Sequence, residues 1–237
     1  MTVIKICGLA SAEEALAVAG AGADIIGLVL APSPRRISIE TAAEIVRAVK
    51  QLPSPPAIAG VFVNQPANLV NGIAATCRLD IVQLSGDESW DYCRDLQYPF
   101  FNVIHVKPGD TYARVSREME AGYCTGQRQP LLGMLDCRSS EVYGGSGHSF
   151  DWDIAAGACA RFPLIIAGGL SPSNVRQLIR LANPAGVDVS SGVESDGHKD
   201  MDKVRDFIRA VRLTGGRGNH AGAMTKILCK GERYAAR

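Results

Sequence analysis

A thiol at position 7, a carboxylate at position 136 and three glycine-rich segments are the features of this 237-residue chain whose types and spacing could do chemistry. Cys7 ends the apolar run Val3 to Cys7, in which period-two alternation puts Val3, Lys5 and Cys7 on one face and Ile4 and Ile6 on the other. Asp136 ends the run Leu131 to Asp136 in the same way, sharing its face with Leu132 and Met134. A strand cysteine can be no more than a small buried hydrophobe, and a lone Asp after a strand can be a helix cap. Here a long loop, Cys137 to His148, follows Asp136 instead of an immediate helix, which weakens the capping explanation. The glycine segments are Tyr143 to Gly147, Ala167-Gly-Gly-Leu170 and Ser190-Ser-Gly-Val-Glu194. Glycines in such segments allow backbone N–H groups to approach an oxyanion closely. Arg35 and Arg36, after Ala-Pro-Ser-Pro, are either a solvated loop pair or a planar fork for a carboxylate.

These groups need a frame, and the frame is periodic. Short β-branched runs predict strands at Val3 to Cys7, Ile25 to Leu30, Ile58 to Val63, Asp80 to Leu84, Phe101 to Val106, Leu131 to Asp136, Pro163 to Ala167 and Gly186 to Ser190. Helical spacing fills the gaps at Ser11 to Ala21, Ser38 to Gln51, Pro66 to Thr76, Glu88 to Leu96, Thr111 to Gly122, Trp152 to Cys159, Pro172 to Leu181 and Met201 to Arg212. Ser11 with Glu14 three residues on reads as a capping box, and Ser171-Pro172 puts proline at a first helical position. Strictly alternating units imply parallel strands with helices outside. Eight of them in about 210 residues fit a closed (β/α)8 TIM barrel, an α/β single domain, better than an open doubly wound sheet. No Gly-x-Gly-x-x-Gly turn follows the first strand, which lowers the dinucleotide-binding form of that alternative.

In such a barrel the site lies at the carboxyl ends of the strands, so Cys7 and Asp136 are expected to flank the mouth from two sides. Two of the glycine segments follow strands 7 and 8, where barrels of this class bind phosphate. Lys5, facing the interior, needs a counter-ion, and Asp188 on the adjacent last strand is the expected partner.

Twenty-five Lys and Arg against 24 Asp and Glu give a formal charge of +1, which removes the electrostatic argument for nucleic acid or an anionic membrane as main partner. The seven cysteines are odd in number and show no paired metal or redox spacing, as expected of reduced thiols in a cytoplasmic protein. No secretory signal or run long enough to span a membrane is evident. His105, His148, His198 and His220 show no metal-ligand spacing; His105, near the end of strand 5, is the one rim candidate and reads more simply as a packed or solvated histidine. Residues 1–212 thus form the expected barrel. Residues 213–237, glycine-containing and basic, read as a mobile or loosely docked tail.

Lys5-Ile-Cys-Gly8, Ser33-Pro-Arg-Arg36, Gly60-Val-Phe-Val-Asn64, Val82-Gln-Leu84, Leu135-Asp136, Tyr143-Gly-Gly-Ser-Gly147, Ala167-Gly-Gly-Leu170 and Val187-Asp-Val-Ser-Ser-Gly-Val-Glu194 together give a sequence that resembles the phosphoribosylanthranilate isomerase family of tryptophan biosynthesis. The resemblance implies a cofactor-free, metal-free Amadori rearrangement of a phosphorylated small molecule by a monomer or homodimer. It casts Asp136 as general acid and Cys7 as general base, Arg36 as holder of the anthranilate carboxylate, and Gly168, Gly169, Ser191 and Gly192 as the phosphate site, with Gly145 and Asp188 also at the substrate. Asp136 must then be at least partly protonated near neutral pH, with Leu132 and Met134 favouring the neutral form. Cys7 must ionise readily, with help from Lys5. One departure is Ser85, where relatives usually have His. The competing readings are a metal-dependent ribulose-phosphate 3-epimerase and a phosphate-binding barrel without catalysis.

Overall fold

The computed structural model describes residues 1–124, 132–136 and 150–214. The chain alternates β1 (Val3–Cys7), α1 (Ala12–Gly20), β2 (Ile25–Val29), α2 (Ile39–Val49), β3 (Ala57–Phe62), α3 (Ala67–Cys77), β4 (Ile81–Leu84), β5 (Phe100–His105), α4 (Tyr112–Cys124), β6 (Leu132–Asp136), α5 (Phe150–Cys159), β7 (Leu164–Ala167), α6 (Val175–Ala182) and β8 (Gly186–Val189). A two-stranded antiparallel ribbon, β9 (Glu194–Ser195) and β10 (His198–Lys199), precedes α7 (Met201–Thr214). Strands β1 to β8 close into a parallel barrel, with β8 returning to β1 in the register Lys5 to Asp188.

The alternation along each strand sorts side chains as a barrel requires. Val3, Ile25, Ala59, Ile81, Phe101, Leu132, Met134 and Ile165 fill the interior, while Ile4, Ile6 and Leu135 join the layer between strands and helices. Cys7 forms a small cluster with Val29 and Val61, so three strands contribute apolar or thiol side chains at one level near the mouth. The Ser11 cap at α1 forms as expected, the Glu14 amide donating to Ser11 Oγ at 3.1 Å, while the Glu14 carboxylate accepts from the Ala10 amide, one residue before the cap, at 2.7 Å.

Two expected helices differ. The segment Glu88 to Leu96 holds only a 3-10 turn, Tyr92–Asp95, so the described residues contain seven α-helices. Asn71 of α3 replaces helical hydrogen bonding there, donating to the Asp95 carbonyl at 2.8 Å and accepting from the Gln97 amide at 2.9 Å. The helix expected from Pro172 begins at Val175 instead, because the Asn174 side chain folds the preceding residues into a turn, accepting from the Ser171 amide at 2.8 Å and donating to the Gly169 carbonyl at 2.9 Å. Helix α7 runs to Thr214, two residues beyond its expected end; residues 215–237, Gly145 and the rest of the 143–147 segment lie outside the described residues. Among the described residues no helix is long and apolar enough to cross a membrane, and Cys7, Cys77, Cys93 and Cys159 are free, buried thiols.

Candidate active site

Because β1 and β6 are parallel, Cys7 and Asp136 close them at the same open end of the barrel, three strands apart through β8 and β7. Beneath Cys7 lies Lys5, fully buried, with its ammonium 2.8 Å from Asp188 Oδ1, the partnership expected from the sequence. Burial by itself would lower the Lys5 pKa, but Asp188 and Cys7 more than reverse that and raise it to about 12, so the side chain stays cationic.

The Cys7 thiol departs from expectation. Burial pushes it above its ordinary value, Lys5 pulls it down, and Asp188 pushes it up again; the net direction is upward. Burial thus outweighs the lysine expected to ease ionisation, and Asp188 adds to it.

Gly27 makes this cluster possible and was overlooked in the sequence. A Cβ there would fall 2.6 Å from Cys7 Sγ and 2.9 Å from Lys5 Nζ. The signal was a glycine inside an otherwise Ile, Leu and Val strand, which marks close approach of neighbouring groups.

The two arginines separate. Arg35 is engaged by Glu194, donating from Nε to Oε1 at 2.8 Å and from a terminal nitrogen to Oε2 at 2.6 Å. Arg36 is exposed, its backbone bridged to Val29, and its side chain has no hydrogen bond or ion pair with the described residues. Glu194 also binds Lys199, which is 1% exposed and donates to the Ser190 carbonyl at 3.2 Å. Ser190 Oγ in turn donates to the Cys7 carbonyl at 2.9 Å. The β2 loop, the β8 loop and the end of β1 are thereby joined through Glu194 and Lys199, neither of which sequence reasoning assigned. A single carboxylate ending the glycine segment Ser190 to Glu194 was the available signal, since it calls for a nearby cation.

The Arg35 hydrogen bonds, then those from Lys199, hold Glu194 at about 2 against an ordinary 4.5. A depressed carboxylate stabilises the fold above its unfolded value, and that contribution is lost as pH falls through about 2. Glu194→Gln is therefore expected to remove up to about 3 kcal/mol at pH 7. Urea titrations between pH 7 and pH 2 should show a shallower loss of stability in the variant than in the parent.

Asp136 is 11% exposed at its side chain and faces His105 of β5, whose Nδ1 lies 3.7 Å from Asp136 Oδ2. His105 Nε2 is 3.0 Å from the Ser85 carbonyl. Ser85, at the departing position, accepts from Gln83 Nε2 at 3.0 Å. Gly168 and Gly169, after β7, adopt positive φ of 93° and 65°. Gly192 abuts the same loop: a Cβ there would fall 1.8 Å from the Leu170 carbonyl oxygen. The structure thus brings Gly168, Gly169, Ser191 and Gly192 together beside β1. A groove of about 640 Å³ between α3 and the 3-10 turn, lined by Asn68, Asn71, Asp95 and Gln97 among others, lies on the outer face and holds none of these groups.

The family model described as N-(5'phosphoribosyl)anthranilate (PRA) isomerase matches residues 4–210. The chain belongs to this family. Among the PRA isomerases it resembles that of Dehalococcoides mccartyi, with 48% identity over 208 residues that cover 88% of this chain and 94% of the relative. It also resembles the solved phosphoribosyl anthranilate isomerase from Thermotoga maritima, with 35% identity, a TM-score of 0.76, and coverage of 90% of this chain and all of that one. A further PRA isomerase structure, 32% identical with a TM-score of 0.74 over 90% of this chain and all of that one, was solved with reduced 1-(o-carboxyphenylamino)-1-deoxyribulose 5-phosphate. As a PRA isomerase family member, this chain is an isomerase.

Proposed function

We propose that this chain converts N-(5'-phosphoribosyl)anthranilate to 1-(2-carboxyphenylamino)-1-deoxyribulose 5-phosphate, with Asp136 as general acid and Cys7 as general base. The observation that carries this reading is the placement of a thiol and a carboxylate at one open barrel end beside the glycine loops after β7 and β8. Asp136 gives a proton to the furanose ring oxygen, and the C1–O bond opens to a Schiff base. The Cys7 thiolate takes the proton from C2, and the enolamine becomes the ketose as its 2-hydroxyl proton leaves to water and the Cys7 thiol returns its proton to C1, which restores the thiolate. Because burial holds the thiol high even beside the cationic Lys5, the thiolate that acts as base is a minor species at neutral pH. The neighbouring Arg36 is free for the anthranilate carboxylate, and the backbone amides of residues 168–169 and 191–192 suit the phosphate. The reading makes the partner a phosphorylated small molecule of the cytoplasm, bound by a monomer or homodimer.

The direct test follows the fluorescence of phosphoribosylanthranilate with purified protein. A loss well above the uncatalysed background is expected, and a trace indistinguishable from background overturns the reading. Gly192→Ala should separate the β7 and β8 loops, since its Cβ collides with backbone and not with a movable side chain. The expected result is a KM raised at least about tenfold with kcat changed much less, together with a stability loss of about 1–3 kcal/mol from overpacking.

A further inference from the structure

Among the described residues, His105 is a titratable side chain beside the expected acid that the reaction scheme leaves without a task. Its Nε2 lies 3.0 Å from the Ser85 carbonyl oxygen, which can only accept, so Nε2 carries a hydrogen. The neutral ring is thereby fixed in one tautomer, and Nδ1 is left as the nitrogen that gains and loses a proton. That nitrogen faces Asp136 Oδ2 at 3.7 Å, an ion-pair distance that a carboxylate rotation about its soft χ2 or one bridging water converts to a hydrogen-bonded path. The exposures are graded in the useful direction. The His105 side chain is 38% exposed and that of Asp136 is 11%.

We propose that His105 is a proton-relay and positioning residue that reloads Asp136 between turnovers, an inference that rests on Asp136 being the acid. When Asp136 has given its proton to the ring oxygen, a carboxylate remains in a mostly buried position. Imidazolium Nδ1–H passes its proton to that carboxylate, and the neutral ring regains one at Nδ1 from water. The matching proton leaves to water from the enol oxygen as the ketose forms, so each turnover conserves protons. Two charged groups on adjoining elements, Arg114 and Glu88, are engaged elsewhere among the described residues. Arg114 of α4 donates to the His105 carbonyl and pairs with Asp110 and Glu118. Glu88, after β4, accepts from the Gly86 and Asn64 amides.

The test is His105→Gln, assayed at pH 7 with and without added imidazole. Expected are a kcat about tenfold lower, a KM within about twofold of the parent, and recovery of most of the lost kcat as imidazole is raised to tens of millimolar. An unchanged kcat, a change confined to KM, or a loss that imidazole leaves untouched overturns the relay. Should His105→Gln not fold, nitrogen NMR of the otherwise unaltered protein serves instead. Neutral His105 should then be the Nε2–H tautomer, and its titration midpoint should fall in Asp136→Asn; the opposite tautomer or an unmoved midpoint overturns the proposal. Parent-like turnover in Asp136→Asn would instead strike the assignment of the acid, which separates the two failures.

Discussion

Asp136→Asn is expected to lower kcat by about 10² to 10⁴, the range general acid catalysis contributes, with KM changed little. Asparagine matches the carboxyl in size and can still face His105 at the end of β6. It has no proton to release to a departing ring oxygen. Cys7→Ala should give a loss of the same order, because the methyl group keeps the small apolar contact with Val29 and Val61 while removing the group that takes the C2 proton. The fluorescence assay reads both, and circular dichroism verifies that the barrel is intact. Turnover near the parent rate in either variant rejects that residue's role. If the thiol served only as a packed side chain, Cys7→Ala would lower stability slightly and leave kcat alone.

The second large effect is on stability. Lys5 and Asp188 form an ion pair in the barrel interior, with Lys5 wholly inaccessible to solvent. Removing one partner leaves an uncompensated buried charge, so Asp188→Asn or Lys5→Met is expected to cost about 3–5 kcal/mol in urea unfolding. That is a large share of the roughly 5–15 kcal/mol that holds an ordinary domain together. The double variant Lys5→Met/Asp188→Leu removes both charges and should recover most of the loss, since an apolar pair of similar volume suits an interior lined by Val3 and Ile165. Single variants within about 1 kcal/mol of the parent would mean that the pair is not a buried unit. Asp188→Asn carries a second consequence. Asp188 pushes the Cys7 thiol up, so its neutralisation should make Cys7 react faster with a thiol reagent in the folded variant.

The barrel was legible in the sequence because each strand is a short β-branched run with a period of two and each α-helix has its own apolar spacing. The same alternation put Lys5 and Cys7 inside, and the adjacency of first and last strands in a closed barrel put Asp188 beside Lys5. The missing fourth helix was not legible. Glu88 to Leu96 carries a helix-compatible pattern, and what decides its form is the Asn71 side chain of another element satisfying Asp95 and Gln97. Local pattern cannot report a hydrogen bond supplied from elsewhere.

The candidate site divides in the same way. Sequence by itself determined which residue types stand at the strand ends: a thiol, a carboxylate, and glycines after β7 and β8. Only the tertiary structure decided their electrostatics and their company. It assigned Arg35 to Glu194 and left Arg36 exposed. It set His105 between Ser85 and Asp136, and it let burial outweigh Lys5 at the Cys7 thiol. Side-chain direction along a strand follows from local chain geometry, whereas charge state and partnership depend on distance and burial, which are properties of residues brought together from all eight strands.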